Sequence, residues 1–125
     1  MIEDLKYWLD IAKYDLETAD AMLKAGRYIY VLFMCQQSLE KLLKAHVIRE
    51  TKKYPPKVHN LLYLLENAGL SADEKDRVFL EKLNYYYLES RYPNEQKKIA
   101  REINKEIAEK YYSKTTEVFQ WLMKV

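Results

Sequence analysis

Residues 28–51 read YIYVLFMCQQSLEKLLKAHVIRET, with no glycine or proline among them. Stepping about 100° per residue places Leu32, Cys35, Leu39, Leu42, Leu43 and His46 on one arc, the signature of a helix facing a core. The helix is expected from about Tyr28 to Thr51. It stops before Tyr54-Pro55-Pro56, because proline lacks an N–H and disfavours helical geometry just before it. Tyr30, Phe33, Met34 and Ile48 fall outside the arc, so the first two turns are apolar all round, and such a helix must be buried all round. Either a short third helix and its loops cover the extra face, or a second copy does so by two-fold symmetry. The chain holds 12 Tyr, and aromatic residues are enriched at interfaces. A homodimer is therefore expected, with Tyr30, Phe33, Met34 and Tyr85 as its interface candidates.

The same wheel puts Gln36 within the core arc, Glu40 at its edge, and Gln37, Lys41 and Lys44 pointing away. A buried amide needs partners or costs about 1–3 kcal/mol. Gln36 should therefore make a helix-to-helix hydrogen bond or meet a ligand or partner chain.

The remainder of the chain agrees with a helical reading. Only 2 Gly and 3 Pro occur in 125 residues, too few for the turns of a strand-rich fold. That length suits one domain, spanning residues 1–125. Leu5, Leu9, Ala12, Leu16, Ala19 and Leu23 form a first apolar stripe, with Asp4 placed to start the helix and Gly26 to end it. A short helix after His59 carries Leu61, Leu62, Leu64 and Leu65 and ends at Gly69. Ser71 and Glu74 are spaced for a capping box before a helix with Phe79, Leu80, Leu83, Tyr86 and Tyr87, broken at Arg91-Tyr92-Pro93. Tyr85, Tyr86 and Tyr87 sweep too wide an arc to enter one core together. Asn94 can cap a last helix striped by Ile99, Ile103, Ile107, Tyr111, Val118 and Leu122. The expectation is all-α: an up-and-down bundle of four long helices plus a short one.

Composition excludes several function classes. The N-terminal residues lack the pattern of a signal peptide. The longest apolar run, Tyr28 to Cys35, falls far short of the ~20 residues that span a bilayer, so a cytoplasmic protein without membrane contact is expected. The net charge of +2 is too small for binding nucleic acid by bulk charge. Abundant Lys and Glu suggest a heat-loving source.

The single cysteine, Cys35, sits mid-helix in the apolar run and reads as an inert thiol. Neither His46 nor His59 has a Glu three residues earlier, so no di-metal bundle motif is present and no metal is assigned. Gly26 and Gly69 are too far apart for a glycine-built phosphate loop, and no cofactor is assigned. What remains are polar residues near helix ends. His59 follows the diproline, where an imidazole is usually exposed. Arg91 either complements the carbonyl end of its helix or grips phosphate in a planar fork beside Tyr92. Lys52-Lys53 and Lys97-Lys98 read as solvated faces able to assist an RNA partner.

Gln36-Gln37-Ser38-Leu39-Glu40-Lys41-Leu42-Leu43-Lys44-Ala45, then His59-Asn60-Leu61, then Arg91-Tyr92-Pro93 resemble the HEPN family of small helical proteins. The rhythm of Leu9, Ala12, Asp15 and Leu16 resembles its first helix. The resemblance implies a homodimer and a link to nucleotides or RNA. It also implies partnership with a separately encoded minimal nucleotidyltransferase in a toxin–antitoxin-like module. Carried over, the family's polar positions fall on Gln36, Gln37, Glu40, Lys41, Lys44, His59, Arg91 and Tyr92. Of these, Gln36, Glu40, Lys44, His59, Arg91 and Tyr92 are the nucleotide- or RNA-binding candidates. Ribonuclease members carry a histidine shortly after the arginine. Here the corresponding positions hold Gln96, Lys97 and Lys98, and neither glutamine nor an ordinary lysine replaces histidine as an acid–base near neutral pH. No catalytic residue is therefore assigned. The expectation is a non-catalytic partner subunit, with a ribonuclease toxin and a purely structural scaffold as alternatives.

Overall fold

The computed structural model describes residues 2–125, with side chains from Asp4 onward. Among the described residues six helices follow one another: α1 (Ile2–Lys24), α2 (Tyr28–Thr51), α3 (Leu61–Asn67), α4 (Glu74–Glu89), α5 (Pro93–Glu102) and α6 (Lys105–Lys124). α2 matches the expected span and lies at the centre, packed on α1, α3, α4 and α6. Leu39, Leu42 and Leu43 of α2 are wholly buried, as are Leu61 and Leu64 of α3 and Leu83 of α4. Each buried leucine contributes about 1.5–3 kcal/mol relative to exposure.

Contacts between helices give their directions. α1 and α2 form an antiparallel hairpin in which Ser38 Oγ donates to the Ala12 carbonyl (2.8 Å) and Lys44 Nζ lies 5.6 Å from the Trp8 ring centroid. α6 runs parallel to α2, with Thr115 beside Cys35 and the Leu122 carbonyl 2.6 Å from His46 Nε2. α4 runs against α6, where Lys114 Nζ meets Asp76 at 2.7 Å and Tyr86 packs on Tyr111. The four long helices thus alternate in direction. Among the described residues no strand occurs.

Several local expectations are corrected. The last predicted helix is two, because Ile103 is extended and Asn104 caps α6 by accepting from the Ile107 N–H. The bundle therefore has two short helices, α3 and α5, instead of one. α1 begins at Ile2, so Asp4 is inside it and is not its cap. Asp73, not Ser71, caps α4 by accepting from the Asp76 N–H, and α5 starts on Tyr92 and Pro93 instead of Asn94. Gly26 and Gly69 supply positive φ after α1 and α3, as expected of helix stops. α2 instead ends on Lys52, a non-glycine residue at φ 61°. Ile48, placed off the core arc by the helical wheel, is buried within the chain. The three successive tyrosines do separate: Tyr87 is buried, Tyr86 half-buried and Tyr85 exposed.

Candidate functional site

The polar residues of α2 meet side chains from three other segments. Glu40 is buried, and its carboxylate accepts from Lys44 Nζ at 3.1 Å. On its other side His59 Nδ1 lies 3.0 and 3.1 Å from the two carboxylate oxygens. A carboxylate paired with Lys44 only accepts, so His59 Nδ1 carries a hydrogen and donates it to Glu40. The His59 side chain is 44% exposed, against 3% for Glu40. Its main chain is pinned as well: Gln36 Nε2 donates to the His59 carbonyl at 2.8 Å and approaches Asn84 Oδ1 at 3.4 Å. Gln36 is wholly buried, and among the described residues its Oε1 meets no hydrogen-bond donor.

Tyr87 of α4 joins this group to Arg91. The Tyr87 hydroxyl accepts from Gln37 Nε2 at 3.3 Å and from Arg91 Nη2 at 2.8 Å. Its ring packs on Phe33 (4.7 Å between centroids) and on His59 (5.7 Å), and the Arg91 guanidinium carbon sits 4.7 Å from its centre. Arg91 lies in the turn just after α4, four residues beyond Tyr87, and folds back so that its guanidinium sits over the ring. From Gln37 the chain of contacts runs on: Lys41 Nζ donates to Gln37 Oε1 at 2.7 Å and lies 3.5 Å from Asp15 Oδ2. Burial holds the Asp15 carboxyl above its ordinary range, and Lys41 works against that rise.

Sequence-predicted residues therefore divide. His59 and Arg91 meet at Tyr87, Glu40 is tied to the His59 ring, and Gln36 holds the His59 main chain. Lys44, expected to point away from the core, is 7% exposed and lies between Glu40 and Trp8; Gln37 and Lys41, expected likewise, are half-buried. The cause is α1, whose Trp8 and Asp15 cover a face that a wheel drawn for α2 alone leaves wet. Tyr92 is 63% exposed and stands apart from the hydrogen-bonded cluster. Tyr30 and Tyr85 are exposed, whereas Phe33 and Met34 are half-buried. Sequence reasoning gave Tyr87 only a core role. Its spacing from Arg91 was a readable signal, but its approach to Gln37 and His59 depends on how α4 docks.

His46 lies elsewhere in the bundle, between α2 and α6. Its Nδ1 is 2.7 Å from Arg49 Nη2, which also donates to the Val125 carbonyl at 2.8 Å. Arginine only donates, so Nδ1 accepts and Nε2–H donates to the Leu122 carbonyl. A cavity of about 110 Å³ lies beside it, lined by Leu5, Leu9, Ala45, Leu122 and Met123. Cys35 is buried, and burial pushes its thiol up to about 12. Such a thiol is a poor nucleophile at neutral pH. Among the described residues no group of three metal-ligating side chains converges, and no helix is long and apolar enough to cross a membrane.

The HEPN domain profile matches residues 5–125. The chain belongs to the HEPN family. This HEPN protein is also similar to the crystal structure of TT1696 from Thermus thermophilus, with a TM-score of 0.80. The match covers 96% of each chain at 23% identity, which speaks for a shared fold. Among curated proteins none matches it. Family membership bears out the resemblance carried by the α2 motif, His59-Asn60-Leu61 and Arg91-Tyr92-Pro93.

Proposed function

We propose that this HEPN protein is a homodimeric, nucleotide- or RNA-facing partner subunit of a separately encoded minimal nucleotidyltransferase, in a toxin–antitoxin-like module. The observation that carries this reading is the convergence of His59 and Arg91 on Tyr87, over the buried Glu40–Lys44 pair. Arg91 offers a planar fork for phosphate, and the exposed Tyr92 next to it offers a stacking surface. Gln36, Glu40 and Lys44 lie beneath and act by holding His59 in place. Tyr30 and Tyr85, together with half-buried Phe33 and Met34, supply aromatic and apolar surface for a second copy.

Calorimetry with ATP and other nucleotides tests the site: wild type binds, and Arg91→Ala loses most of that affinity. Absence of binding by either removes the direct nucleotide role. Light scattering that finds only a 15.1 kDa species in dilute solution removes the dimer. A pull-down that recovers a nucleotidyltransferase supports the partnership. If substitutions in the polar cluster then change nothing else, the scaffold reading takes over.

One observation favours a ribonuclease as the second reading. The imidazole missing after Arg91 in sequence is offered in space by His59, which Glu40 orients. Purified protein that leaves RNA intact, and whose expression does not slow growth, removes that reading.

A further inference from the structure

We propose that the cavity between α1, α2 and α6 binds a small apolar carboxylate, with its hydrocarbon body inside and its carboxylate on Arg49. The cavity shares no residue with the cluster around Tyr87, so this inference goes beyond the nucleotide-facing role and does not depend on it. Most of the wall is apolar: Leu5 and Leu9 come from α1, Ala45 from α2, and Leu122 and Met123 from α6. The volume is about 110 Å³, against about 150 Å³ for an apolar cavity that stays dry and takes up benzene. A hydrocarbon body of about four carbons suits the smaller space.

The two polar residues of the wall, His46 and Arg49, differ in what they have left to offer. Both ring nitrogens of His46 are engaged, one by Arg49 and the other by the Leu122 carbonyl. Arg49 spends the hydrogens of Nη2 on His46 Nδ1 and on the Val125 carbonyl. Those on Nε and Nη1 then meet no acceptor among the described residues, and a guanidinium can only donate. Water is poorly served in such a place, because a held water needs several polar partners and the wall gives it Arg49 alone. A ligand that joins an apolar body to an anionic oxygen suits both halves, and its bond to the guanidinium is charge-assisted. Entry needs no unfolding, since Arg49 and Met123 are exposed. Once seated, the ligand touches three helices and stabilises the folded chain by binding to it in preference to the unfolded one.

The test titrates the whole chain at about pH 7.5, above the ordinary imidazole range, so that His46 stays neutral. The ligands are straight-chain carboxylates from acetate to hexanoate and the matching alcohols, followed by calorimetry and by thermal melting. Affinity is expected to rise about fourfold for each added methylene until the cavity is full. Each acid should bind about tenfold more tightly than its alcohol, the worth of the charged hydrogen bond. Arg49→Gln keeps alcohol binding and loses the advantage of the acid. Ala45→Met fills the cavity and loses both. Circular dichroism checks that each variant folds; if Ala45→Met does not, Met123→Trp, at the exposed mouth, takes its place. Affinity that ignores chain length, or an acid advantage that survives in Arg49→Gln, overturns the inference. So does the absence of saturable binding at millimolar ligand. None of these outcomes touches the reading of Arg91, which is tested with nucleotides.

Discussion

From the turn after α4, Arg91 reaches back to Tyr87, placing Nη2 2.8 Å from the phenolic oxygen and the guanidinium 4.7 Å from the ring centroid. The same oxygen receives Gln37 from α2. One hydroxyl thus links the end of α4 to the central helix.

Tyr87→Phe keeps the ring against Phe33 and His59 but removes the shared acceptor. We expect a stability loss of about 1–2 kcal/mol, since Gln37 and Arg91 each lose a hydrogen bond with water close by. Urea denaturation measures this. Where nucleotide binds, affinity falls several-fold, because Arg91 must then be ordered by the ligand.

Gln36→Met removes a wholly buried amide whose Oε1 is unpaired, at similar volume. The lost donor and the relieved acceptor oppose each other, so global stability shifts by no more than about 1 kcal/mol. The His59 carbonyl loses its anchor. Hydrogen exchange should therefore speed up around residues 58–60 while the core of α2 stays protected.

Acid should weaken the α2–α6 contact through His46. Burial first, and then Arg49, hold this imidazole below its ordinary 6.5, while its bond to the Leu122 carbonyl pulls the other way. The unfolded chain therefore binds the proton more readily. The His46 contribution is fully present above about pH 6.5 and is lost as pH falls through the lower native value. Its slope cannot exceed that of one proton, about 1.4 kcal/mol per pH unit. Asp15, whose carboxyl burial raises above 3.8, acts in the opposite sense at lower pH. Denaturation across pH 5–8 should flatten in His46→Gln, where a neutral amide stands in for the ring; an unchanged profile in that variant rules the mechanism out.

Lys52→Gly should stabilise the chain by about 0.5–1 kcal/mol. Lys52 closes α2 at φ 61°, a conformation that costs a residue with a Cβ about 1–2 kcal/mol. Glycine removes that strain while adding some freedom to the unfolded chain. Thermal melting measures the gain.

The fold was largely legible because helical periodicity and the scarcity of stops are local signals. α2 needed only its own residues and the diproline beyond it. The break at Ile103–Asn104 was hidden because Ile99, Ile103 and Ile107 continue a helical stripe across it; nothing local says that Asn104 caps instead of simply facing water. For the candidate site, the sequence offered single residues and not their arrangement. Glu40, His59 and Arg91 could be named singly, but their grouping depends on Tyr87 reaching α2. Lys44 misled for a related reason, since a lysine at a helix surface is buried only when a neighbouring helix supplies the roof.

That same break at Ile103–Asn104 has a consequence for how the protein can change. Had α5 and α6 formed one rod, any shift near Arg91-Tyr92-Pro93 would have been levered into the core through α6. With the rod cut, α5 touches α2 and α4 only lightly and is anchored chiefly by buried Ile99 and Ile103. The stretch from Tyr92 to Ile103 is thus a module hung on two isoleucines. Its outer residues can be exchanged, and the chemistry displayed there rewritten, while α1, α2, α4 and α6 keep their packing.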